Sequence, residues 1–119
     1  MKILFSIFFF IISIHLFAQK SYQKNYFDNG VIKSEGWIKN NQKNGYWKFY
    51  YENGNVEKEG RYSTNKPIKY WYFYTQNGFK KSEGHFTKGN KANWWLFYDN
   101  KGNVSYKMQL KDNIKNYYL

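Results

Sequence analysis

Residues 46–60 read YWKFYYENGNVEKEG, in which a run of aromatic residues leads into an Asn-Gly pair and then into alternating residues. Aromatic residues favour β-strands, and Asn-Gly is the preferred centre of a two-residue type I′ hairpin turn because both positions need positive φ. The segment therefore predicts a hairpin that turns at Asn53-Gly54. This turn sets the expected pairs as Tyr51 with Val56, Phe49 with Lys58, Lys48 with Glu59 and Trp47 with Gly60.

The pattern recurs every 24 residues along the chain. One unit is too short to bury a core alone, so an internal repeat of this kind predicts units that stack on their neighbours. The unit boundaries fall at about 26–49, 50–73, 74–97 and 98–119. The residues expected to build the repeat are Gly30, Gly54, Gly78 and Gly102, then Gly36, Gly60 and Gly84, then Trp47, Trp71 and Trp95, and finally Phe49, Phe73 and Phe97.

A second, polar connection follows each hairpin. We expect loops at Asn40 to Asn44, Thr64 to Lys69 and Lys88 to Asn93, because Pro67 lies in one of them and proline cannot donate to a β-ladder. The predicted fold is all-β: an elongated, strongly twisted, single-layer antiparallel meander of roughly eight strands in stacked hairpins. Within it, we expect the Trp47 indole to lie across Gly60 and the Trp71 indole across Gly84.

The aromatic residues divide between the two faces of this sheet. The Trp and Phe ladders are expected to form the core on one face. The other face cannot also be core in a single layer, and exposed Tyr and Trp interleaved with Lys suit a binding surface, since these residues dominate interface hot spots. The residues of this predicted binding face are Tyr46, Tyr50, Tyr70, Tyr74, Trp94 and Tyr98.

Residues 1–18 stand outside the repeat and read as a secretory signal peptide. Lys2 precedes an almost wholly apolar run that ends in the small residue Ala18. The alternative is a retained membrane helix, for which the run is short. Cleavage would leave Gln19 at the start of a repeat domain of residues 19–119, exported to the periplasm, the cell surface or the extracellular space.

The net charge of the chain limits the kinds of partner that are expected. The chain has 19 Lys and Arg against 8 Asp and Glu, so loss of Lys2 with the signal leaves 18 basic residues and a net charge of +10. This charge is compatible with nucleic acid, anionic envelope polymers or acidic lipids, and export makes nucleic acid the least expected of them. Cysteine is absent, so no disulfide stabilises the domain.

Gly36-Trp37, Asn44-Gly45-Tyr46-Trp47 and the run from Phe49 to Gly54 resemble the MORN repeat in its bacterial variant form. That form occurs in YwqK-family proteins described as antitoxins. Lys69 and Asn93 depart from it, standing where Gly45 would recur. The resemblance implies a hairpin-stacked sheet that binds partners, with protein, lipid and membrane association proposed across MORN proteins, and it implies no catalytic residues.

The remaining chemistry agrees with a protein that is not an enzyme and has no cofactor or metal. Glu35, Glu59 and Glu83 recur once per unit, too far apart for glycosidase carboxylates, which lie about 5–10 Å from one another. Each is expected to be a cross-strand partner of Lys or Tyr, and His85 a surface strand residue. We expect a binding or scaffold module that recognises a protein. The alternatives are an envelope glycan or anionic lipid binder and a toxin-neutralising protein; the oligomeric state stays open.

Overall fold

The computed structural model of the chain describes residues 19–111 and 114–118. The predicted signal peptide, residues 1–18, lies outside this part. The described chain is all-β and contains nine strands. They are β1 (Ser21–Tyr26), β2 (Ile32–Lys39), β3 (Gln42–Tyr50), β4 (Val56–Ser63), β5 (Lys66–Tyr74), β6 (Lys80–Thr87), β7 (Asn90–Tyr98), β8 (Val104–Lys111) and β9 (Ile114–Tyr118).

The nine strands form one open sheet in sequence order, and each strand is antiparallel to its neighbours in the chain. The predicted single-layer meander is therefore confirmed, with one strand more than the roughly eight expected. Every strand pair is local in sequence, which is the arrangement by which a repeat too small to fold alone becomes stable through its neighbours.

The turn at Asn53-Gly54 is not the predicted type I′ turn. Gly54 has a φ of 90°, whereas Asn53 is not among the residues with positive φ. The Gly54 N–H donates to the Tyr51 carbonyl at 3.0 Å, and the Tyr51 N–H donates to the Asn55 carbonyl at 2.8 Å. These bonds define a three-residue loop with a left-handed glycine at its end. The Asn53 side chain instead accepts from the Asn55 N–H at 2.9 Å, which holds Asn53 in a turn without positive φ.

A β-bulge next to this loop restores the predicted register. Tyr50 pairs with Val56, so the predicted pair of Tyr51 with Val56 is wrong. One step further Phe49 pairs with Lys58, which leaves Glu57 as an extra residue on β4. The pairs beyond the bulge are those predicted, including Trp47 with Gly60. The same shift recurs in the other hairpins, where the extra residues are Lys33, Lys81 and Ser105.

The turns with two left-handed residues lie at the other ends of the strands, where we predicted loops. They are Asn40-Asn41, with φ of 52° and 59°, Thr64-Asn65, with 50° and 63°, and Lys88-Gly89, with 50° and 85°. The loop prediction is therefore wrong, and Pro67 lies in β5 opposite Tyr62. Its carbonyl still accepts from the Gly89 N–H at 3.1 Å, a role that does not need the donor proline lacks.

The predicted loop ends are also part of the strands. Gly45, Lys69 and Asn93 have φ of 123°, 60° and 59°, and each lies in a strand near a shift of register. A left-handed residue in a strand is typical of a bulge. The position therefore bends the strand rather than ending a loop; its positive φ suits glycine and asparagine, and nothing in the structure explains Lys69.

The core is a column of three indoles on one side of the sheet. Trp47, Trp71 and Trp95 are 1%, 2% and 0% exposed. Each lies on the glycine of the preceding strand, so the predicted positions over Gly60 for Trp47 and over Gly84 for Trp71 are wrong. A Cβ built on Gly36, the glycine beneath Trp47, would lie 2.3 Å from the indole.

The indole N–H groups explain this choice of side. They donate to the carbonyls of Trp37, Arg61 and His85 at 2.8, 3.1 and 3.1 Å. Each of these carbonyls belongs to the residue that follows one of the three glycines. At that point the pairing with the strand that carries the indole shifts register. A buried indole needs an acceptor for its N–H, and the preceding strand provides one.

Candidate functional site

The side of the sheet opposite the indole column is the tyrosine face, defined by Tyr22, Tyr46, Tyr50, Tyr70, Tyr72, Tyr74 and Tyr98 with the three repeated glutamates Glu35, Glu59 and Glu83. The residues predicted to bind lie on this face. Trp94 is exposed as expected, at 43%. The five predicted tyrosines, at positions 46, 50, 70, 74 and 98, are half-buried rather than exposed.

Tyrosine hydroxyls hold each glutamate of this face. Glu35 accepts from Tyr22 at 2.6 Å and from Tyr50 at 3.2 Å. Tyr22 precedes Glu35 by 13 residues and Tyr50 follows it by 15. The same two offsets apply to the other glutamates because the sequence repeats every 24 residues.

The second and third units each show one of these two bonds. Glu59 accepts from the Tyr46 hydroxyl at 2.7 Å, and Glu83 accepts from the Tyr98 hydroxyl. We predicted that each glutamate would contact Lys or Tyr across the strands. Tyrosine hydroxyls make most of the observed contacts, although Lys48 does pair with Glu59 in register. The face is thus a ladder of Tyr-Glu hydrogen bonds.

The carboxylates raise the pKa values of these tyrosines. The hydrogen bond to Glu35, followed by burial, raises the pKa of Tyr22 to about 12. The hydrogen bond to Glu83, followed by burial, raises the pKa of Tyr98 to about 12. Burial, followed by the hydrogen bond to Glu59, also raises the pKa of Tyr46. A hydroxyl that donates to a carboxylate loses that bond and gains a like charge on ionisation, so these groups stay neutral donors.

The third glutamate also has a cationic partner. Glu83 is 7% exposed, and its Oε2 lies 3.1 Å from Lys80 Nζ. The same ammonium lies 5.2 Å from the ring centre of Tyr72 and 5.8 Å from that of Tyr98. Buried carboxylates need hydrogen-bonded or charged partners, and Glu83 has one of each.

The sequence interpretation missed Tyr22, Tyr72, Lys80 and Trp37. Tyr22 lies 24 residues before Tyr46, so extending the repeat one unit toward the N-terminus would have found it. Tyr72 pairs with Glu83 in register, and the predicted pair of Lys48 with Glu59, moved on by one unit, would have found it. Trp37 is 41% exposed, and the repeat motif to which it belongs does not by itself indicate that its indole is accessible.

A shallow depression of about 330 Å³ lies at one end of the tyrosine face, lined by Lys20, Trp37, Gly45, Tyr46 and Arg61. It combines an exposed indole with two cationic side chains. Across residues 19–111 and 114–118, no group of three or more His, Asp and Glu residues could hold a metal ion. The described chain also contains no helix long and apolar enough to cross a membrane.

No protein-family model matches the sequence, and the search of curated proteins gives no relative.

Proposed function

We propose that the chain is an exported, non-catalytic binding module of the MORN-repeat type, which recognises a protein partner through the tyrosine face. The observation that carries the proposal is the repeated Tyr-Glu ladder. It joins every repeated glutamate to a tyrosine hydroxyl at one or both of the same two offsets, along a sheet whose other face already holds the core.

The ladder prepares these rings for binding. Association costs free energy for every side chain that it immobilises, about 0.5–1.5 kcal/mol for one rich in rotamers. The hydroxyls of Tyr50 and Tyr98 are already held by Glu35 and Glu83, so their rings lose little freedom when a partner covers them. Tyrosine and tryptophan also dominate interface hot spots, which favours this face over the turns, whose residues are mainly Asn and Gly.

The glutamates support a non-catalytic role. Catalysis by a carboxylate needs an oxygen within reach of substrate, whereas Tyr22 and Tyr50 occupy both Glu35 oxygens and Tyr98 and Lys80 occupy both Glu83 oxygens. These carboxylates therefore serve to position aromatic rings. The resemblance to MORN-type repeats supports the same interpretation.

A triple exchange of Tyr50, Tyr74 and Tyr98 to Ser tests the proposal. A photo-crosslinking residue in place of Trp94 first identifies the partner in the native host. The triple variant should then lose capture of this partner, because each truncated hot spot removes roughly 2 kcal/mol or more of binding. The matched control is Phe79→Ser, which removes an aromatic ring that is 56% exposed in a turn.

Two readouts complete the experiment. Circular dichroism should show the same strand content in the triple variant and the control, which separates lost binding from lost folding. Capture that survives the triple exchange contradicts the proposal. If capture survives but disappears when salt rises from about 0.05 to 0.5 M, diffuse charge holds the ligand, and an anionic polymer or lipid replaces a protein as the partner.

A further inference from the structure

One position of the repeat differs in every unit and lies beside the depression on the tyrosine face. Trp37, Arg61 and His85 share this position, 24 residues apart. They pair in register with Tyr22, Tyr46 and Tyr70. The Gly, Trp, Phe and Glu positions of the unit repeat to build the sheet, whereas this position does not, so it is free to carry a function belonging to one place on the surface.

Two neighbours hold the Trp37 indole in place. The Tyr22 ring meets it edge-on, with ring centres 5.2 Å apart and planes inclined at 76°. Gly45 leaves room for the base of the Trp37 side chain, since a Cβ there would come within 3.0 Å of Trp37 Cβ and 3.2 Å of Cδ1. Lys69 and Asn93 replace Gly45 in the later units, so in the described repeat only Trp37 lies against a glycine at this position.

Cations lie next to the held indole. Arg61 and Lys20 are exposed and line the same depression as Trp37. The nearby carboxylates are already engaged, because Glu35 accepts from Tyr22 and Glu59 accepts from Tyr46. The depression therefore presents a flat apolar surface beside a guanidinium, which can hold a carboxylate by two parallel hydrogen bonds.

Two other depressions are less suited to such an anion. One of about 280 Å³ has the rings of Tyr26 and Phe27 beside Lys33, but Asp28 and Glu52 also line it, and these two carboxylates would repel an anion. The other, of about 350 Å³, contains Lys66 and Lys88 beside Ser63 and Thr64 but no aromatic ring. An anion alone would suit the second, whereas the depression at Trp37 suits an anion attached to an apolar ring face.

We propose that the depression at Trp37 and Arg61 binds a carboxylated sugar residue. The C–H face of the sugar ring lies on the indole, and the sugar carboxylate pairs with the Arg61 guanidinium. This site goes beyond the proposed protein partner, because it uses Trp37 and Arg61 rather than Tyr50, Tyr74 and Tyr98. The ligand is a uronate, either free or as one residue of an acidic glycan.

Titration with trigalacturonate tests the site, and calorimetry or the NMR shifts of the indole N–H signals measure the binding. The salt concentration is about 0.15 M, at which long-range charge effects are screened. We expect saturable binding of trigalacturonate and at least tenfold weaker binding of the neutral trisaccharide maltotriose. Galacturonate monomer is the second arm. If the monomer and the trimer bind with equal affinity per sugar residue, the ligand is a free uronate. If the trimer binds more tightly per sugar residue, the ligand is a glycan.

Matched variants locate the binding. Trp37→Ala and Arg61→Gln should each weaken trigalacturonate binding at least tenfold, with unchanged circular dichroism. Trp94→Ala removes an indole of similar exposure, 43% against 41%, and should leave binding unchanged. Lys88→Gln, in the depression without an aromatic ring, should do the same.

Several results overturn the proposal: no saturable binding of trigalacturonate, equal binding of maltotriose, or equal losses in Trp94→Ala or Lys88→Gln. The triple exchange of Tyr50, Tyr74 and Tyr98 separates this site from the proposed function. It should abolish capture of the protein partner and leave trigalacturonate binding in place, so either proposal can fail without the other.

Discussion

Gly60→Ala tests how the indole column is built. A Cβ at Gly60 would lie 2.2 Å from Cδ2 and 2.4 Å from Cε2 of Trp71. These distances are far inside van der Waals contact, and the Trp71 indole is only 2% exposed. The rigid ring has no bond about which part of it can move aside, so either the strands separate or the indole leaves its site. The change adds one methyl group and should still destabilise the fold.

The magnitude follows from opposing contributions. Gly60 lies outside the left-handed region, so alanine there should stabilise the backbone by about 0.5–1 kcal/mol. Overpacking costs about 1–3 kcal/mol, and expulsion of a large side chain about 3–5 kcal/mol. Loss of the Trp71 N–H bonds to Arg61 and Ile68 adds about 1 kcal/mol. We expect the free energy of unfolding to fall by about 0.5–2 kcal/mol if the strands separate around the indole, and by about 3–5 kcal/mol if the indole leaves its site.

Urea unfolding followed by near-ultraviolet circular dichroism measures this loss. The control is Gly54→Ala, because Gly54 has a φ of 90° and nothing lies within 4 Å of a Cβ there. Its cost should come from backbone strain alone, about 1–2 kcal/mol. In a Trp71→Leu background the cost of Gly60→Ala should fall by at least about 1 kcal/mol, since the two sites are coupled. An unchanged or more stable Gly60→Ala protein would refute the packing.

Four further outcomes are expected. Trp71→Ala should cost about 3–5 kcal/mol and Tyr74→Ala much less, as compared by thermal melts. Asn41→Val should cost more than about 1 kcal/mol, since the φ of 59° at this residue is poorly tolerated by a β-branched side chain, whereas Asn41→Gly should be neutral in the same melts. Because the pKa of Tyr98 is raised from 10.0 to about 12, the folded chain holds that proton more tightly; stability should be complete below pH 10 and fall toward pH 12, less steeply in Tyr98→Phe, by urea midpoints at several pH values. Mass spectrometry of the exported protein should find Gln19 at its N-terminus.

The sequence by itself determined the fold class and most of the strand pairing. The 24-residue interval required stacked units, and the alternation around Trp47 and Lys48 required strands with two different faces. The pair of Trp47 with Gly60 is observed although the turn that predicted it is wrong. The one-residue bulge at Glu57 offsets the one-residue difference between a two-residue and a three-residue loop, so the register beyond it is the same.

Turn geometry and ring placement depended on the tertiary structure. Asn-Gly is compatible with more than one turn type, and here the Asn53 side chain accepts from the Asn55 N–H, which favours the three-residue loop. The sequence places glycine on both neighbouring strands of Trp47, so it could not say which one the indole covers. The buried N–H donates to the Trp37 carbonyl on the strand of Gly36, a contact that stabilises the indole over Gly36.

The tyrosine face shows the same division. Local sequence identified its aromatic residues, because their interval is visible along the chain. It could not show that Tyr50 and Tyr22 share Glu35, or that Trp37 lies beside Gly45 and Arg61. These contacts join residues on different strands, at distances fixed by pairing register and by the bulges that shift it. Spacing along one chain specifies which residues face the same way, and only the paired sheet decides which of them touch.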